Sequence, residues 1–166
     1  MNIRRLVETD WEAYRAIRLE ALQVSPEAFA TEFEEQKDLP PEYWSSRLAT
    51  GEDSFVLGAF SDERIIATAG FTKERRRKTR HKGNIVGVYV SPSFRGRGIA
   101  RALVMEIVSQ ARSVPGLEQV ILTVVTENVV AKGLYEKLGF RVFGTELRAL
   151  KVGDRYLDEE HMVLFL

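Results

Sequence analysis

The chain has 166 residues, with 45% hydrophobic and 29% charged residues, 24 Lys/Arg against 24 Asp/Glu, and no cysteine. That length and balance fit one domain with a sizeable core, and zero net charge argues against a dedicated nucleic-acid protein. The lack of cysteine excludes disulfides, thiolate nucleophiles and thiolate metal sites, and MNIRRLVETDW has no apolar run behind its arginines, so no metal site, signal peptide or membrane anchor is expected and the location is read as cytoplasmic.

In chain order, Ile3 to Val7 predicts a first strand. Thr9-Asp10-Trp11-Glu12 has the form of a capping box, so a helix should start there and run to about Val24 with Ala13, Ile17, Ala21 and Leu22 on its apolar face. Ser25-Pro26-Glu27 and Pro40-Pro41-Glu42 offer two more helix starts. The period then changes. SFVLGAF (54–60) and RIIATAGF (64–71) predict a hairpin around Ser61-Asp62-Glu63, and NIVGVYV (84–90) predicts a further strand. Helical spacing returns at Ile99, Leu103, Ile107, Val108 and Ala111, stopped by Pro115-Gly116. QVILTVVT (119–126) is an apolar run of the kind found in strands buried on both faces. A short helix from about Val129 to Leu138 closes at Gly139, and two strands joined at Val152-Gly153-Asp154 form a final hairpin. This order defines an α/β (α+β) class: a mixed sheet with helices on both faces, in a single domain spanning 1–166.

Charge is unevenly distributed. Residues 1–72 hold 7 Lys/Arg and 14 Asp/Glu, and residues 73–166 hold 17 and 10. The segment KERRRKTRHK (73–82) carries seven Lys/Arg and one Glu. No aromatic residue interrupts it to stack on bases, so it is read as a solvated hairpin connection, with a nucleic-acid-binding module as the competing reading.

The turn after the strand VYV is the richest in chemistry. Arg95, Gly96, Arg97, Gly98 and Arg101 bring two glycines and three arginines to the start of a helix. There the first backbone N–H groups have no acceptor within the helix and the dipole adds about half a positive charge, which suits an anion. The turn lacks the GKS or GKT of a Walker loop, and Arg101 stands where G-x-G-x-x-G needs its last glycine.

Arg95-x-x-Gly98-x-Ala100 resembles the R/Q-x-x-G-x-G/A pyrophosphate loop of the GNAT superfamily of acyl-CoA-dependent N-acetyltransferases. Asn128-x-x-Ala131-x-x-Leu134-Tyr135-x-x-x-Gly139-Phe140 resembles the same family's second motif. The resemblance implies a mostly antiparallel sheet of about seven strands and acetyl-CoA as the acyl donor. It implies that Val88, Tyr89 and Val90 present backbone to the pantetheine arm, that the amides of Gly96, Arg97, Gly98, Ile99, Ala100 and Arg101 hold the diphosphate, and that Asn128 holds the arm while capping its helix. Tyr135, two turns on, becomes the general acid, its phenol close in acidity to the departing thiol. The acceptor is then a small-molecule or peptide amine, and the acidic first half favours a cationic one. The family often carries a Glu base on a central strand. Here NIVGVYV has no acid and Thr123 occupies the matching place on the next strand, which leaves Glu32, Glu34, Glu35, Glu127, Glu159 and Glu160 as candidates, while His161 is read as structural. A catalytically silent acyl-CoA sensor fits the same motifs, and a homodimer is compatible with them.

Overall fold

The computed structural model describes residues 1–49 and 51–166. Seven strands form one sheet in the order β1-β2-β3-β4-β5-β7-β6. They are β1 (Asn2–Arg5), β2 (Ser54–Ser61), β3 (Arg64–Lys73), β4 (Lys82–Val90), β5 (Gln119–Val125), β6 (Arg141–Val152) and β7 (Arg155–Phe165). Every neighbouring pair is antiparallel except β4 and β5, which run parallel. That exception follows from the helix α4 (Ile99–Ala111), which returns the chain across one face between those two strands.

Each face carries its own core. Ile99, Leu103, Val104, Ile107 and Ala111 of α4 pack on Leu57, Phe71, Val120, Leu122 and Met162, joined by Tyr135 of α5 (Val129–Lys137). On the opposite face, α1 (Trp11–Val24) and α3 (Pro41–Ser46) bury Tyr14, Ile17 and Trp44 against Leu6, Ile65 and Tyr89. The short α2 (Phe33–Gln36) connects them. Trp44 is 0% exposed, and its indole N–H donates to the Leu39 carbonyl at 3.2 Å, so a large ring is buried without stranding its polar atom.

The start of α1 differs from the capping box expected at Thr9. A 3₁₀ turn at Glu8–Asp10 precedes the helix, and the Asp10 carboxylate accepts from the Val7 N–H at 2.8 Å. The same carboxylate takes both Arg4 donors, at 2.7 and 2.8 Å, tying β1 to the helix. Tyr14, not Ala13, is the buried residue near the start of the helix, while Ile17, Ala21 and Leu22 are buried as expected. Ser25 makes no side-chain cap either. The Arg4 hydrogen bond holds the Asp10 carboxyl below its ordinary value, with the Val7 N–H adding to it. Stability from a depressed carboxyl is present above the unfolded value and is lost as pH falls through the folded one. Asp10→Ala is therefore expected to lower stability by about 1 kcal/mol at neutral pH, read by urea unfolding, with the gap closing in acid.

Candidate active site

The parallel pairing of β4 and β5 is short. Lys82, Gly83 and Asn84 face Gln119, Val120 and Ile121, and there the ladder stops although β4 continues to Val90 and β5 to Val125. The cause is in β4. Thr68 of β3 faces Tyr89 and Gly70 faces Val86, so Gly87 and Val88 together oppose Ala69 as a bulge. Gly87 takes φ +63°, a left-handed conformation that suits glycine, and the bulge bends β4 away from β5. A wedge opens between the two central strands, lined by backbone groups that neither strand offers to the other. β5 has buried residues on both faces, with Thr123 alone exposed: Val120, Leu122 and Val124 enter the α4-side core, and Val125 is buried on the other face.

Val88 and Val90 pack partly against the α4-side core, whereas the Tyr89 ring is buried on the α1 side and its hydroxyl donates to Glu20 at 3.0 Å. Burial, then the Glu20 carboxylate, push the Tyr89 phenol up to about 12. Tyr89 thus anchors the strand, and only its backbone is available to a ligand.

Beyond the wedge, the Ser91 N–H donates to Ile66 O at 2.9 Å, a 3₁₀ turn covers Pro92–Phe94, and the chain reaches α4 through Arg95 to Gly98. Gly96 and Gly98 both sit at φ +75°, and no heavy atom lies within 4 Å of the place where a Cβ would stand on either. Gly98 is the N-cap, its carbonyl accepting from Ala102 at 3.0 Å. The amides of Ile99, Ala100 and Arg101 therefore lie in the first turn, open toward the wedge end of the helix. A diphosphate fits a cradle of this kind, with glycines where side chains would fill it.

The arginines differ from expectation. Arg95 folds back, donating through Nε to the Val90 carbonyl at 3.0 Å and through Nη2 to Ser25 Oγ at 3.3 Å. It braces the loop against β4 and occupies the carbonyl of Val90 that the sequence reading left for the pantetheine arm. Arg97 donates to Ser93 O at 3.1 Å over the Phe94 ring. Arg101 is exposed and joins no ion pair or side-chain hydrogen bond among the described residues.

Asn128 caps α5, its Oδ1 accepting from the Ala131 N–H at 3.2 Å. The cap uses the oxygen and leaves the amide NH₂ exposed. Seven residues on, Tyr135 lies on the same helix face, 6% exposed, with its ring edge-on to Phe140 at 6.0 Å. Its hydroxyl has no protein hydrogen-bond partner among the described residues, and burial pushes the phenol up to about 12. The acidity match read from the sequence does not hold: against a thiol near about 8.5 this is a far weaker acid, so its strength lies in donating a hydrogen bond.

On the far face of the sheet, Thr123 pairs with His161 and Val125 with Glu159. Glu159 is half-buried, and burial followed by the neighbouring Glu146 pushes its carboxyl above the ordinary value. Four of the other candidate bases are occupied. Glu160 points to the opposite face and holds Lys132 at 2.8–2.9 Å, Glu127 pairs with Arg155 at 2.9 Å, and Glu34 pairs with Lys37. Glu35 caps α2 by accepting from the Glu32 N–H at 3.0 Å. A pocket of about 470 Å³ opens beside this face between Leu22, Phe29, Phe33 and the hairpin residues Leu150 and Val152. Arg18 of α1, which sequence reading passed over, brings Nη1 to 4.0 Å from the Cβ position of Gly87. Its neighbour Ile17 carries the apolar signal, so one turn of helix hid it. The basic segment 73–82 links β3 to β4, with Arg75, Arg76, Arg77 and Lys78 exposed.

A split central sheet, a glycine-opened helix mouth and a tyrosine on the next helix are the features the motifs implied. Residues 6–140 match the acetyltransferase (GNAT) family, and the chain belongs to it. It is 28% identical over 162 residues to the L-amino acid N-acetyltransferase AaaT of Escherichia coli, covering 96% of this chain and 94% of that one. It is 35% identical over 136 residues to the mycothiol acetyltransferase of Thermobispora bispora, covering 79% of this chain but 43% of that longer protein. Among solved structures, YncA of Salmonella typhimurium with its cofactor acetyl-CoA superposes with a TM-score of 0.82 at 22% identity, covering 100% of this chain and 94% of that one. Acetyl-CoA is the acyl donor of this family.

Proposed function

We propose that the whole chain, 1–166, works as one domain that moves an acetyl group from acetyl-CoA to a primary amine of a small molecule or peptide, by direct attack in a ternary complex. The observation that carries this reading is the wedge: the β4–β5 ladder stops at Asn84 and Ile121, and beyond it β5 runs on to Val125, whose partner on β7 is Glu159. The amides of Gly96 to Arg101 would hold the diphosphate, with Arg97 and Arg101 beside it. The backbone of Val88 and Tyr89 and the Asn128 amide would hold the pantetheine arm as an added strand, the Val90 carbonyl being taken by Arg95. When bound, acetyl-CoA supplies an activated thioester carbonyl.

The residues then divide the chemistry. Glu159, acting directly or through one water, takes the proton that the amine loses as its nitrogen bonds to the carbonyl carbon. A backbone N–H at the bulge donates to the carbonyl oxygen as it gains charge. Tyr135 donates its O–H toward the sulfur as the carbon–sulfur bond breaks. With no cysteine in the chain, no thiol acyl carrier intervenes.

Thiol release from acetyl-CoA over a panel of amines tests the reading. Turnover with at least one amine is expected, with kcat/KM falling as pH drops through the raised Glu159 value. Glu159→Gln should lower it about 10- to 100-fold and flatten that acid limb. Acetyl-CoA binding with no thiol release from any amine would instead identify a sensor. Salt-sensitive nucleic-acid binding indifferent to acetyl-CoA would turn attention to 73–82.

A further inference from the structure

We infer that the acceptor is an amine bearing a free carboxylate, held by Arg18 beside the β4 bulge. This narrows the acetyltransferase reading above and rests on it. Arg18 is half-buried, its guanidinium lies over the Phe29 ring at 4.7 Å, and its Nη1 stands 4.0 Å from the Cβ position of Gly87. A guanidinium has five N–H donors, and the one side-chain hydrogen bond recorded for this one is the 3.2 Å contact from Nε to Gln36 Oε1.

No counter-ion is built in. Gln36 donates onward to the Tyr43 hydroxyl at 3.0 Å, and Arg47, at the rim, donates to that same hydroxyl at 3.1 Å. All the polar partners in this run are neutral at working pH, and neither arginine joins an ion pair with a carboxylate among the described residues. Burial pulls the Arg18 value down and the Arg47 charge adds to it, against opposing effects of Tyr14 and Tyr43, each smaller than that of burial. Withdrawing a guanidinium from water beside a second cation is unfavourable without an anion to complete it. The glutamates of the neighbouring segment do not supply one: Glu20 faces Tyr89 and Arg64, and Glu34 holds Lys37.

Position selects the anion. An α-amino acid carries its amine and carboxylate on one carbon, so a carboxylate on Arg18 sets the amine against the bulge where the thioester must lie. The pocket that adjoins the same ring, Phe29, has an apolar wall of Leu22, Phe33, Leu150 and Val152 that suits an apolar side chain, with Glu32, Glu34 and Lys151 also in its lining. The acidic count of the first 72 residues favoured a cationic acceptor. The guanidinium beside the bulge points instead to an anion there, because Glu20 and Glu34 are held by Tyr89, Arg64 and Lys37.

The test compares L-leucine and other apolar L-amino acids, each with its carboxamide, as acceptors under saturating acetyl-CoA. The wild type is expected to favour the free acid in kcat/KM by about 10- to 100-fold, the range of a charge-assisted hydrogen bond pair. Arg18→Gln should collapse that ratio to near one and Arg18→Lys should restore part of it. A wild-type ratio already near one, or a ratio unchanged in Arg18→Gln, overturns the assignment, as does a rise in the acetyl-CoA KM that accounts for the whole loss. Calorimetry of the CoA-loaded protein with N-acetyl-L-leucine and its amide reads the same preference without turnover. Absence of thiol release with every amine would remove the parent reading, whereas turnover of amides and acids alike would remove only this one.

Discussion

Tyr135→Phe is expected to lower kcat about 10²- to 10³-fold while the acetyl-CoA KM stays within a few-fold. The ring is buried in the α4-side core against Phe140 and contributes packing that phenylalanine reproduces. The hydroxyl has no protein partner among the described residues, so its removal leaves no donor or acceptor stranded and should not lower the melting temperature. A group that is neither part of the packing nor part of a hydrogen-bond network has its value in what arrives beside it. Because burial holds the phenol near about 12, it remains protonated throughout the working pH range, and the base-side limb of the rate profile should not report its titration. Steady-state kinetics together with a thermal melt decide the matter. A variant with unchanged kcat would assign thiolate stabilisation to solvent instead.

The second large effect is on binding. Gly98→Asp should raise the acetyl-CoA KM about 100-fold or more, with little change in kcat at saturation. Gly98 sits at φ +75° with open space around its Cβ position, and aspartate is among the residues that tolerate this conformation, at a cost of about 1–2 kcal/mol. It is also a favourable N-cap, so the helix should still form. The new carboxylate would occupy the first-turn amides and repel the diphosphate they serve. Gly98→Asn, with the same shape and no charge, is the control. Equal losses in the two variants would show that bulk, not charge, governs the site, and unchanged KM in both would place the diphosphate elsewhere.

Much of this architecture was legible from local rules. The two hairpins followed from alternation and from turn residues at 61–63 and 152–154, and α4 followed from its apolar spacing and its stop at Pro115-Gly116. The glycine-arginine turn and the Asn128 to Tyr135 spacing could be read because each lies within a few residues, and helices do start at Gly98 and Asn128. The acceptor side was not legible in the same way. Arg18 and Gly87 come from distant segments that meet only through tertiary packing at the β4 bulge, and the pairing of Glu159 with Val125 is set by the sheet register. Arg95 looked like a phosphate ligand because sequence shows its charge but not the Val90 carbonyl five residues back that holds it. The Tyr135 phenol looked ordinary because burial, the cause of its shift, is a tertiary property.

The three-residue seam between Lys82–Asn84 and Gln119–Ile121 has a mechanical consequence. Four strands lie on one side of it and three on the other, so the sheet is two rafts moored at a single end. Whatever spans the gap at the free end becomes a second mooring, and a rung gained there stiffens both rafts together.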